Sequence, residues 1–108
     1  MDEIKKYMKF GLSGNTLNSI INELKMHREV ESALIFGSRA KMNFKQGSDV
    51  DIALTGDLVS NELAWQISGK LNEELPLPYS FDVVAYSGIN TVELKEHIDR
   101  VGIVLYSR

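Results

Sequence analysis

Four short runs rich in apolar and β-branched residues, Ser32–Phe36, Val50–Leu54, Tyr79–Tyr86 and Ile103–Tyr106, alternate along this chain with segments whose apolar residues recur at helical spacing. Strands this short are stable only beside one another, so the four must share one sheet, with helices covering it. Leu17, Ile20, Ile21 and Leu24 fall at i, i+3, i+4 and i+7, which predicts a helix with Ser13 or Asn15 as N-cap and an end near Arg28. Leu63, Ile67, Leu71 and Leu75 recur every four residues and predict a helix from near Ser60 that Pro76 and Pro78 close. Asn90 with Glu93 reads as a capping box opening a helix through Leu94, Ile98 and Val101 to Gly102. The order αβ(α)βαβαβ predicts an α+β fold: a small mixed β-sheet with helices packed on it.

At 108 residues, 44% of them hydrophobic, the chain reads as a single domain spanning 1–108. No repeat, low-complexity tract or linker divides it, and a chain of this size has no room for a second substrate-binding domain. A formal net charge of -3 argues against stable nucleic-acid binding, which needs a basic face to displace counterions. A small anionic ligand held through a metal remains compatible. The absence of cysteine excludes disulfides and thiolate metal sites, so the cytoplasm is the expected compartment. The N-terminal MDEIKKYMKF lacks a signal-peptide core, and no apolar run reaches the roughly 20 residues of a membrane span, so no membrane association is expected.

The informative stretch is Phe36 to Leu54, FGSRAKMNFKQGSDVDIAL. Gly37-Ser38 ends a buried strand, and Arg39-Ala40-Lys41 can begin a helical turn whose free N–H groups attract phosphate oxygens. Alone, that pattern is usually just a turn. Asp49 and Asp51 flank Val50 at the start of the next strand, where i and i+2 side chains share a face and two carboxylates can converge on a metal. A lone pair of this kind is as often a solvated strand edge. Asp82 interrupts an apolar strand between Phe81 and Val83, a position that needs solvent or a cation. A mixed sheet that set the strands of Asp51 and Asp82 side by side, with the Gly37-Ser38 turn at the same end, would build one phosphate-facing acidic site.

The combination Gly37-Ser38-Arg39-Ala40, then Ser48-Asp49-Val50-Asp51, then Phe81-Asp82-Val83 resembles the DNA polymerase beta-like nucleotidyltransferase superfamily, and within it the minimal nucleotidyltransferase (MNT) branch. His97 to Tyr106 (HIDRVGIVLY) looks like the family's C-terminal helix and strand. One departure is Met42, which stands where the family commonly has a second glycine, so the loop there is expected to differ in shape. The resemblance implies catalysis at Asp49, Asp51 and Asp82 with two Mg²⁺ ions, for which Mn²⁺ is a substitute. Asp49 and Asp51 would bind metal, while Asp82 completes the site of the metal beside the attacking hydroxyl. It assigns nucleotide binding to Gly37, Ser38, Arg39 and Ser48, with Lys41 and Lys45 as further candidate triphosphate contacts.

The implied activity is transfer of a nucleoside monophosphate, AMP being expected, from a triphosphate such as ATP to a hydroxyl. Small members of this family resemble antitoxins paired with helical HEPN-type toxins, which implies an acceptor on such a partner. A homodimer and a hetero-oligomer are both compatible with the sequence. The competing function is a non-catalytic module that neutralises a helical partner by contact. His27 and His97 stand apart without ligand partners at useful spacing, and Trp65 and Phe81 read as core, Trp65 with a second use at a partner surface.

Overall fold

The structure is a computed structural model that describes residues 9–45 and 47–108; the N-terminal segment MDEIKKYMKF lies almost wholly outside them. Helix α1 (Gly14–Lys25) starts where Ser13 accepts the Thr16 N–H at 3.2 Å, and it buries Leu17, Ile20 and Leu24. It stops three residues short of Arg28, because the chain turns where the Val30 N–H reaches the His27 carbonyl. Strand β1 (Ser32–Phe36) runs into a single helical turn, α2 (Gly37–Ala40). Strand β2 (Val50–Thr55) is followed by α3 (Asn61–Gly69), capped by the Ser60 side chain on the Leu63 N–H at 3.0 Å.

Helix α3 does not run evenly to the prolines. Its last turn widens into a π-helical segment, Lys70–Glu74, before Leu75 becomes extended. The wide turn sets Asn72 against β3 (Phe81–Ala85), where its side-chain amide accepts the Phe81 N–H at 2.8 Å and donates to the Phe81 carbonyl at 2.9 Å. Helix α4 (Val92–Val101) and strand β4 (Ile103–Ser107) close the fold. The capping box expected from Asn90 and Glu93 does not form: Thr91 holds the N-cap position in an extended conformation with no side-chain cap bond.

The sheet order is β3-β2-β1-β4, with β1 antiparallel to both β2 and β4, and β2 parallel to β3. The sheet is therefore mixed, and α3 is the crossover between its two parallel strands. Period-2 alternation divides the strand residues between two layers. Ala33, Ile35, Ile52, Leu54, Phe81 and Val83 join α1 and α3 in the main core. Phe36, Ala53 and Ile98 form a smaller cluster with Leu34 and Val84 under α4. Asp51 and Asp82, two residues before Ala53 and Val84, belong to this second and thinner face.

Candidate active site

Asp51 and Asp82 are register partners on the two parallel strands, and Asp51 also pairs in register with Phe36, the residue before Gly37. The Gly37 turn and both aspartates therefore meet at one end of the sheet. Gly37 has φ 73, and a Cβ built on it would collide with the Asp51 carboxylate oxygen Oδ2. Two independent demands select glycine here: a left-handed backbone and the space the carboxylate takes. Phe36, at the N-cap of α2, contributes no side-chain cap bond, so the first-turn N–H groups are open to an oxygen ligand.

Asp51 is half-buried, and its pKa is raised from 3.8 to about 6. Burial is the largest cause, followed by the negative charges of Asp82 and Asp49; Arg39 opposes them. Asp49 and Asp82 are both exposed. As placed, the three carboxylates do not close on a common point: among the described residues, no group of three acidic or imidazole side chains is gathered tightly enough to hold an ion. What the fold supplies is adjacency and a shared field.

The structure gives Arg39 a different place from the one expected of a triphosphate contact. It is 2% exposed. Its guanidinium donates to the Ser48 carbonyl through Nε at 3.2 Å and Nη2 at 2.8 Å, and to the Phe10 carbonyl through Nη1 at 2.8 Å. The ring centroids of Phe44 and Tyr79 lie 4.9 and 5.3 Å from the guanidinium carbon. Arg39 thus clamps the loop that leads into Asp49 and Asp51. Ser48 is engaged in the same loop, its hydroxyl accepting the Lys45 N–H at 2.9 Å and its own N–H reaching the Lys45 carbonyl at 3.0 Å. Ser38 sits half-buried in the α2 turn, while Lys41 and Lys45 are exposed.

Met42 has φ 61, the left-handed conformation that glycine adopts freely. The Asn43 N–H reaches the Ser38 carbonyl at 3.1 Å and the Met42 N–H the Arg39 carbonyl at 3.3 Å, the bond pair of a Schellman motif with Met42 at C′. The methionine is accommodated as local strain, with its side chain in solvent.

Phe81 is core as expected, but Trp65 is 78% exposed on the outer side of α3. It borders a groove of about 340 Å³ that also takes in Asp82 and Val83. Neither was readable from spacing: the groove forms where α3 meets β3, and the Asn72 clasp on Phe81 depends on the π-helical turn. His27 lies 2.9 Å from Glu23 on α1, and His97 packs edge-on against Phe36 with centroids 6.1 Å apart. No described helix is long and apolar enough to cross a membrane.

No curated protein matches the chain. Among solved structures, a toxin-antitoxin with AMP-PNP is similar at 21% identity and TM-score 0.68, over 90% of this chain and 75% of that one. The tri-AMPylated Shewanella oneidensis HEPN toxin in complex with MNT antitoxin matches at 23% identity and TM-score 0.66, over 88% and 72%. A variant of the toxin-antitoxin MntA-HepT matches at 26% identity and TM-score 0.67, over 84% and 72%. The family model for polymerase beta nucleotidyltransferases matches residues 18–108, which contain the Gly37 turn and all three aspartates, and the chain belongs to that family.

Proposed function

We propose that this chain is a Mg²⁺-dependent nucleotidyltransferase that moves AMP from ATP to a hydroxyl on a HEPN-type partner, and that it serves as the antitoxin of that pair in the cytoplasm. The observation that carries the reading is the register pairing of Asp51 with Asp82 beside the Gly37 turn, inside a family defined by nucleotidyl transfer. The solved neighbours with AMP-PNP and with an AMPylated HEPN toxin supply the nucleotide and the partner class.

The donor set suits a hard divalent cation. It consists of carboxylate oxygens, and the charge of Asp51 is disfavoured by burial and by its two acidic neighbours, a penalty that a cation between them reverses. Asp49, Asp51 and Asp82 would hold two Mg²⁺ ions, which when bound supply charge neutralisation of the triphosphate and of the departing pyrophosphate. Gly37 and Ser38 hold phosphate oxygens through the open N–H groups of the α2 turn, with the Ser38 hydroxyl beside them. Asp82, exposed at the edge of the site, accepts the proton of the attacking hydroxyl. The hydroxyl oxygen bonds to the α-phosphorus, the bond from that phosphorus to the bridging oxygen breaks, and pyrophosphate leaves. Arg39 acts on none of these atoms and fixes the loop that presents Asp49.

Incubating the chain with ATP, Mg²⁺ and the product of the neighbouring gene, followed by intact-mass measurement, is expected to show a nucleotidyl increment on the partner. The three carboxylates are not gathered as placed and Trp65 is exposed, which favours a second reading as a contact-only module. Stable association with no increment at saturating ATP and Mg²⁺ would establish it.

A further inference from the structure

Strand β3 lies at the edge of the sheet. The Ser80 carbonyl accepts the Val50 N–H at 2.8 Å, so even-numbered residues of this segment turn their peptide groups toward β2. Phe81 turns the other way, and there the Asn72 side chain meets both its N–H and its carbonyl, standing in for a neighbouring strand. By the same alternation Val83 points its N–H and carbonyl groups outward, whereas Ala85, 2% exposed, is covered where the chain turns into Tyr86–Gly88. Among the described residues, none bonds to those groups of Val83. The Val83 side chain is packed into the main core, so its backbone edge is the part left for a partner to pair. The groove of about 340 Å³ runs along this edge, between Trp65 and Ser68 on one side and Asp82, Val83 and Ala85 on the other.

We infer that an extended, basic segment of a partner protein pairs with the free edge of β3 and sets a hydroxyl side chain against Asp82. The unpaired ladder groups ask for an extended backbone, since only a strand presents alternating donors and acceptors at their spacing. The charge of the rim selects a basic segment. Glu73 and Glu74 line the adjoining hollow with Trp65, and its one lysine, Lys70, already faces Glu74 at 3.5 Å. Exposed Trp65 offers a ring face to an arginine. Side chains level with one another on adjacent strands share a face with Cβ atoms about 5 Å apart, so the residue level with Asp82 points into the acidic site. This inference rests on the proposed transferase reading and adds how the acceptor is delivered.

The test uses the full chain and a nine-residue peptide, Arg-Thr-Arg-Thr-Tyr-Thr-Arg-Thr-Arg. Trp65 is the sole tryptophan, so its fluorescence reports binding without a label. Two further peptides carry backbone N-methyl groups, one on the threonines and one on the alternate set. Methylation of one set is expected to weaken binding about tenfold or more while the other set binds as the parent does, because only alternate N–H groups face the edge. Glu73→Lys with Glu74→Lys is expected to weaken the parent peptide severalfold, with both variants folded by circular dichroism. No binding at all, or equal binding by both methylated peptides, would overturn the inference. A β3-to-β3 dimer of this chain that the peptide dissociates in sedimentation would overturn it in favour of a second copy. These measurements need neither ATP nor Mg²⁺. If the register asymmetry holds while neither peptide nor partner protein ever gains a nucleotide, docking stands and the transferase reading fails. If a partner is nucleotidylated while both methylated sets bind alike, the reverse follows.

Discussion

The Asp51 carboxylate occupies the space where a Cβ on Gly37 would sit, and Gly37 is held there at φ 73 by the register of β1 on β2. Turn and acid are thus one unit, and neither can change without the other. Gly37→Ala is expected to lose about 1–2 kcal/mol from the left-handed backbone alone, with a further loss as Asp51 is displaced. Urea unfolding measures this, and ATP affinity with Mg²⁺ should fall in the same variant. Unchanged stability would mean that the carboxylate moves aside freely and that the unit is no unit.

Asp51 also makes stability depend on pH. Its folded pKa, about 6, lies above the ordinary 3.8, so its contribution is fully present below about pH 4 and is lost as pH rises through 6. Asp51→Asn, which keeps the shape and removes the charge, is therefore expected to raise Tm by a few degrees at pH 8 and to leave it unchanged at pH 4. Mg²⁺ should raise the Tm of the parent chain at pH 8 more than at pH 5, and should have little effect on the variant. A fall in Tm at pH 8 would show that the Asp51 charge supports the fold.

Much of this site was legible before any coordinates, because its elements are local: a glycine after an apolar run, acids at i and i+2, and an acid inside a strand. Pairing Asp51 with Asp82 needed only a mixed sheet, which the order of strands and helices implied. What escaped the sequence depends on contacts between distant segments. Arg39 reads as a surface cation until Phe10, Phe44 and Tyr79 surround it. Trp65 reads as core because tryptophan usually is, yet α3 turns it outward while Leu63, Ala64 and Ile67 take the buried face.

The placement of Arg39 separates two roles. As a loop clamp, it should be irreplaceable by lysine, which has no planar fork to reach both the Ser48 and Phe10 carbonyls. Arg39→Lys is expected to cost roughly 2–4 kcal/mol in urea unfolding, since it leaves buried carbonyls unpaired. If stability holds and ATP affinity drops instead, Arg39 is a phosphate contact after all.

Met42 makes the opposite prediction. A non-glycine residue at φ 61 stores about 1–2 kcal/mol, part of which glycine returns as extra freedom of the unfolded chain. Met42→Gly should stabilise the chain by about 0.5–1 kcal/mol, and its exposed side chain leaves no cavity behind. A loss of stability would show that the methionine side chain makes contacts that outweigh the strain.

The carboxylates themselves divide by position. Asp49 and Asp51 enter β2 from the loop clamped by Arg39, whereas Asp82 stands on the edge strand, exposed and bordering the groove beside Trp65. If Asp82 serves the incoming hydroxyl and the other two serve the triphosphate, their substitutions should separate binding from transfer. Asp49→Asn with Asp51→Asn is expected to abolish both Mg²⁺-dependent ATP binding by calorimetry and transfer to the partner. Asp82→Asn should keep ATP affinity within about threefold, a difference under 1 kcal/mol. Its transfer rate should fall by about 10²-fold or more, the usual scale for losing a general base. An Asp82→Asn variant that loses ATP binding as completely as the double variant would place all three acids on the triphosphate and leave the hydroxyl's proton to another group.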